Sequence, residues 1–214
     1  MFVSFEGVDG SGKSTQAALL VEALRAEGRE VVATREPGGT ELGERIRGIL
    51  LGDGSVAPWA EAALFAAARA QLVSEVIRPG LERGADVVCD RYLDSSLAYQ
   101  GIARGLGLEA VLELNAVATG SLLPDRTFLL VLPVEEALRR SSGRPDRIEQ
   151  EGAVLLERVT RAYDELAQAF PERIVALDAG RPAAEVARQV RDALRPLPVD
   201  TVARRARRSG KRGR

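Results

Sequence analysis

The chain carries near its start a glycine-rich run with the spacing of a phosphate-binding loop: glycine, four residues of any type, glycine, lysine, then serine or threonine. Glycines in such a loop let backbone amides curl around phosphate oxygens, and the lysine neutralises the outer phosphates. The hydroxyl after the lysine can bind Mg²⁺. The pattern predicts a nucleoside triphosphate site at Gly7, Val8, Asp9, Gly10, Ser11, Gly12, Lys13, Ser14 and Thr15.

The flanks of this loop are those that the pattern requires, a strand before it and a helix after it. Residues 2–5 fit a short buried strand, and Ala17, Leu20, Val21 and Leu24 recur at helical spacing. A helix that begins at the loop adds unpaired N–H groups and a partial positive charge. One of only two lysines in the chain stands in this loop, where a compact ammonium suits a phosphate site. This context disfavours the alternative of a purely structural glycine turn.

Length and composition narrow the class of protein. The 214 residues, of which 45% are apolar, suffice for one packed domain, expected over residues 1–198. No apolar run approaches the ~20 residues of a membrane span, and a strand directly after Met1 leaves no room for a signal peptide, so a cytoplasmic protein is expected. The lone Cys89 is expected to fill a buried strand. The absence of histidine excludes Ser/His hydrolases and His-ligated zinc enzymes.

The end of the chain differs in charge from the rest. The net charge is −1, yet residues 204–214 contain six arginines, one lysine and no acid. Because residues 199–214 have little to bury, a basic, disordered tail is expected there. Weak contact with nucleic acid through this tail is the alternative interpretation, and no other nucleic-acid or membrane contact is expected.

Apolar strand-like runs alternate with amphipathic helical runs about five times along the chain. The alternation of five strand-like runs with helical runs predicts an α/β fold with a five-stranded parallel sheet and helices on both faces, and the phosphate loop makes it of the P-loop NTPase type. A mobile lid is the expectation for the polar segment over residues 141–147. One long helix is predicted from Pro58 to about Arg78, ended by Pro79 and Gly80. In the helix over residues 42–51, the side chains expected to face inward are Ile46, Ile49 and Leu50.

Charged residues follow two of the predicted strands. Arg35 ends the second strand, and Asp90 and Arg91 end the third. Carboxyl ends of parallel strands meet at one edge of the sheet, where the phosphate loop also lies, so these side chains are expected near the loop. Asp90 has the position of the acid that steadies Mg²⁺ opposite Ser14. The two arginines suit a second phosphate group, although either alone is more often a surface charge.

Residues 1–195 contain further runs with recognisable spacing. They are Phe5-Glu6-Gly7-Val8-Asp9-Gly10 continuing to Gln16, Thr34-Arg35-Glu36-Pro37-Gly38-Gly39-Thr40, Leu64-Phe65 to Gln71, Asp90-Arg91-Tyr92 to Gly101, and Asp146-Arg147-Ile148-Glu149. In this order and combination they resemble the bacterial thymidylate kinase family. The resemblance implies transfer of the γ-phosphoryl of ATP to dTMP, giving dTDP, with Mg²⁺, in a homodimer.

The resemblance also implies an acceptor site for dTMP, and helical spacing supports parts of it. Phe65 and Arg69 are four residues apart, so a ring can stack on the base while a guanidinium donates to a carbonyl on its edge. Without the other motifs, a core phenylalanine and a solvated arginine would be the preferred interpretation. In the family, the residue matching Tyr99 crowds the sugar 2′ position. The implied substrate-binding residues are Asp9, Arg35, Pro37, Phe65, Arg69, Arg91, Ser95, Ser96, Tyr99 and Gln100.

A polar segment over residues 141–147 interrupts two predicted helices. It is either a solvated loop or a lid that closes over ATP and brings an arginine to the transferring phosphoryl group. The family divides by whether that arginine sits in the phosphate loop or the lid, and Gly10 stands where a loop arginine would be. The resemblance therefore points to the lid. The expected catalytic residues are Lys13, Asp9, Arg91, Arg147 and Arg144. Of the two lid-side arginines, Arg147 is preferred because it stands in the Asp-Arg-Ile-Glu run.

Two alternatives stay open on the sequence. The chain could be a kinase for another nucleotide or nucleoside, or a switch that hydrolyses ATP or GTP without an acceptor. No Asn-Lys-x-Asp guanine signature is present, which disfavours a GTP switch. The products formed from ATP and a panel of acceptors distinguish these possibilities.

Overall fold

The computed structural model describes residues 1–140 and 146–195. Five parallel strands form one sheet in the order β2-β3-β1-β4-β5. The strands are β1 (Phe2–Glu6), β2 (Val31–Arg35), β3 (Asp86–Asp90), β4 (Arg126–Val131) and β5 (Ile174–Asp178). The prediction of a five-stranded parallel α/β fold is confirmed.

Helices connect the strands. In chain order they are α1 (Lys13–Ala26), α2 (Glu41–Leu51), α3 (Pro58–Leu72), α4 (Arg78–Glu82), α5 (Leu93–Ser96), α6 (Leu108–Thr119), α7 (Val134–Arg140), α8 (Gly152–Ala169) and α9 (Ala183–Leu194). A π-helical turn at Val73–Ile77 joins α3 to α4, a π-helical segment at Leu97–Ala103 continues α5, and a 3₁₀ turn occupies Glu149–Glu151. No helix in the described ranges is both long and apolar enough to cross a membrane.

The helices cover both faces of the sheet. Every residue of β1 is buried, although successive side chains of a strand point to opposite faces. Two covered faces are the arrangement that an all-parallel sheet requires. The main core therefore joins strand residues such as Phe5 and Phe128 to helix residues such as Leu20 and Val159. Cys89 is buried in β3, as expected.

The predicted helix stop at Pro79 and Gly80 is wrong, because the helical path continues to Glu82. The backbone N–H of Arg78 donates to the carbonyl of Val73, five residues earlier. This π turn lets a new helical segment begin with Pro79 in its first turn, where a missing N–H costs nothing. Proline therefore changes the hydrogen-bond register here without ending the helix.

The inward prediction for α2 is correct for two residues and wrong for the third. Ile46 and Leu50 are buried, whereas Ile49 is 57% exposed. Ile46 and Leu50 are four residues apart on one face, and Ile49 falls outside that face. Two other predictions concern segments outside the described residues: the part of the lid that contains Arg144, and the tail over residues 199–214.

Candidate active site

The phosphate loop joins β1 to α1 through glycines that no other residue could replace without strain. Gly7 has φ +134°, and a Cβ there would lie 2.6 Å from the carbonyl oxygen of Leu130. Gly10 has φ +79°, and its Cβ would lie 2.5 Å from the carbonyl oxygen of Ala137. Both glycines therefore hold a backbone path that brings amides to the start of α1.

Lys13 is the cation of this loop. Its Nζ donates to the Val8 carbonyl oxygen at 2.8 Å and lies 3.4 Å from Asp9 Oδ1. Burial lowers the pKa of Lys13 to about 8, and repulsion from Arg91 acts in the same direction, against the attraction of Asp9 and Asp90. A desolvated ammonium is a strong partner for incoming phosphate oxygens.

Ser14 and Asp90 meet as the sequence predicts. Asp90 ends β3 opposite Phe5 of β1, so its carboxylate faces the first turn of α1. The Ser14 hydroxyl donates to Asp90 Oδ2 at 2.5 Å. A hydroxyl and a carboxylate in contact are hard oxygen donors of the kind Mg²⁺ takes beside substrate phosphates. No cluster of three or more acidic, Cys or His side chains that could hold a metal by itself occurs in the described ranges.

Arg91 connects the phosphate loop to the next part of the site. Its guanidinium donates to the Gly7 carbonyl oxygen at 2.9 Å and to Asp9 Oδ1 at 2.6 Å, and it lies 5.7 Å from the ring centroid of Tyr99. The Arg91 backbone has φ 66°, a left-handed conformation that is uncommon for a residue other than glycine. Strain of this kind persists where surrounding contacts fix the residue, often at functional sites.

Asp9 is held in its charged form by two cations. Burial alone would raise its pKa, but attraction to Arg91 and then to Lys13 lowers the pKa well below the ordinary value. The carboxylate therefore stays ionised throughout the neutral range, and it holds both cations at the mouth of the loop.

A cleft with a cavity volume of about 100 Å³ opens beside the phosphate loop. It is lined by both apolar and polar side chains, as small-molecule sites are. One end is formed by Asp9 and Arg91, and the lining continues to Phe65 on α3. The described residues that line the cleft are Asp9, Glu36, Pro37, Arg47, Leu51, Phe65, Arg91, Ser95, Ser96, Tyr99, Gln100, Asp146 and Ile148. Most of the expected acceptor residues are therefore brought together.

Two of the expected acceptor residues do not line this cleft in the described part of the chain. Arg35 is exposed and donates to both carboxylate oxygens of Glu44, at 2.9 and 3.1 Å. Arg69 is 1% exposed and lies behind the cleft wall. Its guanidinium bonds Glu36, Ser96, Asn115 and the Tyr92 carbonyl oxygen, so its donors already have protein partners.

Glu36 also belongs to this wall, although it is not among the substrate-binding residues that the sequence predicts. Its Oε2 pairs with Arg69 Nη2 at 2.6 Å, but its Oε1 is buried without a hydrogen-bond partner among residues 1–140 and 146–195. Burial raises the pKa of Glu36, against the attraction of Arg69. An unpartnered buried oxygen in a cleft wall marks a position where a ligand can donate a hydrogen bond.

Glu6 is a second buried acid, and it holds the cleft-lining residue Ser95 in place. Glu6 at the end of β1 accepts from the Tyr92 backbone N–H at 2.7 Å, from Ser95 Oγ at 2.6 Å and from the Tyr163 hydroxyl at 2.9 Å. These bonds fix the start of α5, and with it Ser95 and the π-helical segment that carries Tyr99. The Tyr99 ring packs edge-on against Tyr163. Burial raises the pKa of Tyr99 to about 12, so it remains a neutral phenol.

Arg147 lies close to α2 and α3. Its Nε donates to the Leu50 carbonyl oxygen at 2.8 Å, and its Nη2 bonds the buried carboxylate of Glu61. Its neighbours Asp146 and Ile148 line the cleft. Sequence reasoning missed Arg47, which lines the cleft, Glu61, which bonds Arg147, and Tyr163, which bonds Glu6 behind the wall. Their local sequence context gives no signal that would have identified them.

Comparison with known proteins agrees with this geometry. The thymidylate kinase family model matches residues 5–190. A thymidylate kinase of Synechococcus sp. (strain JA-2-3B'a(2-13)) is 49% identical over 95% of this chain and 99% of its own length. One of Pseudomonas fluorescens is 50% identical over 94% and 97%. The solved thymidylate kinase of Ehrlichia chaffeensis has a TM-score of 0.73 at 32% identity, covering 91% of this chain and 98% of that one. The chain belongs to the thymidylate kinase family.

Proposed function

We infer that this chain is a dTMP kinase, which transfers the γ-phosphoryl group of ATP to dTMP and releases dTDP and ADP. The observation that carries the inference is the position of Arg91, which contacts the phosphate loop at Gly7 and Asp9 and also lines the acceptor cleft. A phosphate held there lies next to the phosphates of ATP, which is the proximity that phosphoryl transfer needs. The chain's family membership supports dTMP as the acceptor.

The donor side is assigned to the phosphate loop and its metal partners. Residues 7–15 cradle the phosphates of ATP, and Lys13 neutralises the charge that develops on them. The contact between Ser14 and Asp90 supports these two as the protein groups beside Mg²⁺. These two residues would hold Mg²⁺, which would supply positive charge to neutralise the phosphate oxygens.

The acceptor side is assigned to the cleft. Arg91 takes the phosphate of dTMP, Phe65 stacks on the base, and Tyr99 closes the space at the sugar 2′ position. Pro37, Ser95, Ser96 and Gln100 complete the wall. A phosphate monoester is already anionic near neutral pH, so its oxygen attacks without a strong general base. The absence of histidine from the chain is compatible with this chemistry.

The proposal includes a second cation besides Lys13, supplied from the lid side, because one lysine cannot neutralise all the charge of the transition state. Arg147 and Arg144 are the two residues considered. The bonds of Arg147 to Glu61 and Leu50 favour Arg144 for the contact with the phosphoryl group and Arg147 as the residue that anchors the lid base. Arg144 itself lies outside the described residues.

We also propose that the enzyme acts as a homodimer in the cytoplasm. Large apolar side chains are exposed on three helices that pack side by side: Leu42 and Ile49 on α2, Trp59 on α3 and Val117 on α6. Exposed apolar surface of this kind is suited to a protein partner. Sedimentation of the purified chain at several concentrations tests the dimer, and a monomer throughout contradicts it.

A coupled assay tests the activity directly. ATP is supplied with each of dTMP, dUMP, CMP, GMP and AMP, and both the diphosphate product and free phosphate are measured. We expect dTDP to form fastest and free phosphate to stay low. Free phosphate formed at the same rate without an acceptor would instead support a nucleotide-hydrolysing switch, and a preferred acceptor other than dTMP would support a different nucleotide kinase.

A further inference from the structure

Glu61, near the start of α3, carries a carboxylate that is fully buried yet does not line the acceptor cleft. Its two oxygens accept hydrogen bonds from three side chains. Gln100 Nε2 donates to Oε1 at 2.9 Å, and Arg104 donates to Oε1 from Nε and to Oε2 from Nη2, the latter at 3.1 Å. Arg147 Nη2 donates to Oε2.

The two arginines already balance the charge around Glu61. Arg104 also pairs with Glu151, so two carboxylates and two guanidiniums form one neutral group. A buried carboxylate needs such partners because an unpaired charge in the interior is costly. The additional hydrogen bond from the Gln100 amide is not needed for charge balance. Its effect is to orient the Gln100 side chain.

An ionised carboxylate can only accept hydrogen bonds, so the amide group of Gln100 must turn its nitrogen towards Glu61. The amide oxygen then points away from Glu61 and can accept a hydrogen bond from a ligand in the cleft. Gln100 lines the cleft, and its side chain is almost completely buried. The orientation of this amide therefore follows from the chemistry of its partner.

Gln100 is hydrogen-bonded to the helix that carries Phe65, because its amide donates to Glu61 of α3. Arg91, by contrast, bonds Asp9 of the phosphate loop and is the cleft residue assigned to the phosphate. A nucleotide with its phosphate on Arg91 directs its base towards Phe65 and Gln100. At ring position N3, thymine and uracil carry an N–H that can donate to an amide oxygen. Cytosine carries at the same position a nitrogen that only accepts.

We propose that Glu61 is a positioning residue that sets the base preference of the acceptor site by fixing the amide orientation of Gln100. This inference rests on the proposed acceptor function of the cleft. It predicts that the preference for thymine over cytosine depends on a buried carboxylate that never touches the base. Loss of that carboxylate frees Gln100 to rotate, and the site then presents an amide N–H as readily as an oxygen.

The test compares dTMP and dCMP binding by isothermal titration calorimetry without ATP. Glu61→Gln can offer its own N–H to the oxygen of Gln100 and thereby permits the rotated amide. We expect the ratio of dCMP to dTMP dissociation constants to fall by at least about ten-fold, with the dTMP affinity reduced. Glu61→Asp, which remains a pure acceptor, should retain most of the ratio.

Two matched variants separate this role from general damage. Glu151→Gln removes a charge from the same group without touching Gln100, and we expect it to keep the wild-type ratio. In a Gln100→Ala background, adding Glu61→Gln should change the ratio no further. An unchanged ratio in folded Glu61→Gln, an equal change in Glu151→Gln, or a full effect in the Gln100→Ala background each overturns the proposal.

A measurement on the wild-type chain keeps the test decisive if Glu61→Gln does not fold. The side-chain amide protons of Gln100, assigned by their absence in Gln100→Ala, should exchange with water far more slowly than those of an exposed glutamine. Exchange at the exposed rate overturns the proposal. A wild-type chain that binds dTMP but forms no dTDP contradicts the proposed function and leaves this test intact.

Discussion

Arg91 is the residue on which the site depends most, since it contacts both the nucleotide loop and the acceptor cleft. Because Arg91 follows a predicted strand, the sequence correctly placed it near the phosphate loop. Its left-handed backbone was not predictable, because φ 66° at a non-glycine residue is stable only through contacts from distant parts of the chain. Tyr163 on α8, one of those contacts, lies 72 residues away in sequence.

Lys13→Ala is expected to lower turnover by at least ~100-fold while the protein remains folded. Burial lowers the pKa of Lys13 to about 8, so the fold holds this charge at a cost and does not depend on it. Steady-state dTDP formation measures the loss, and thermal unfolding measures the fold. Near-normal turnover in a folded variant would remove the assignment of the phosphate loop.

Arg69→Ala is expected to lower the free energy of unfolding by about 3 kcal/mol, since it leaves Glu36 buried without its cation. Affinity for dTMP should fall with it, because Glu36 and Ser96 line the cleft and both bond to Arg69. Urea unfolding and calorimetric titration with dTMP and ATP measure the two effects.

The double variant Arg69→Ala/Glu36→Gln provides the control for this prediction. Removing the charge of Glu36 should restore part of the lost stability. Equal stability of the single and double variants would contradict the role of this ion pair, and an equal loss of ATP affinity would contradict an effect confined to the acceptor.

At the scale of elements, the sequence predicted which segments are helices and strands better than it predicted their joins. Helical spacing of apolar residues was sufficient for α1, because its buried face follows from local sequence. The continuation of α3 into α4 was not predictable from local rules, since proline breaks most helices and only a π turn accommodates it here. The same deviation recurs over Leu97–Ala103, which carries two cleft residues, Tyr99 and Gln100.

The segment over residues 146–151 forms part of the cleft lining, although it is distant in sequence from the phosphate loop. Asp146 Oδ1 accepts from the backbone N–H groups of Ile148 and Glu149, and Glu149 Oε2 accepts from that of Asp146. These bonds make a compact turn, and Arg147 fastens it to α2 and α3. The turn contributes Asp146 and Ile148 to the cleft lining, so its anchorage bears on acceptor binding.

The two lid-side arginines are therefore expected to give different kinetic effects. Arg147→Ala should raise the KM for dTMP by about ten-fold, with a smaller change in kcat, because it loosens the cleft lining. Arg144→Ala should lower kcat by at least ~100-fold with little change in the KM for dTMP, as expected of a transition-state contact. Steady-state kinetics of both variants distinguish the roles, and the reverse pattern would assign the phosphoryl contact to Arg147.

At the scale of the whole molecule, the alternation of strands and helices was sufficient to predict the fold class. It was not sufficient to predict the hydrogen bonds and ion pairs that shape the site. Every strand of the sheet contains apolar residues, so apolar content alone does not place β1 between β3 and β4. The bonds that shape the cleft join residues far apart in sequence: Glu36 and Arg69 are 33 positions apart, and Glu61 and Arg147 are 86 apart. Such pairs follow from the assembled sheet and have no local pattern.

Glu6 gives the folded molecule a dependence on pH that the sequence did not suggest. Burial raises its pKa from 4.5 to about 7, and repulsion from Asp94 adds to this, against attraction to Arg91. The folded state therefore binds a proton more tightly at this site than the unfolded chain does. The stability associated with that proton is fully present below pH 4.5 and is lost as the pH rises through about 7.

Glu6→Gln should flatten the stability profile across this window, since an amide cannot ionise. We expect the contribution that is lost between pH 4.5 and pH 7 to be roughly 3 kcal/mol in the wild type, and the difference between wild type and Glu6→Gln to change by that amount over the same range. Urea unfolding at half-unit pH steps measures it, with Glu22→Gln, an exposed acid on α1, as the matched control. Parallel profiles for wild type and Glu6→Gln would show that Glu6 is already ionised at acid pH, and would require its bonds to Ser95, Tyr163 and the Tyr92 backbone to outweigh the cost of its burial.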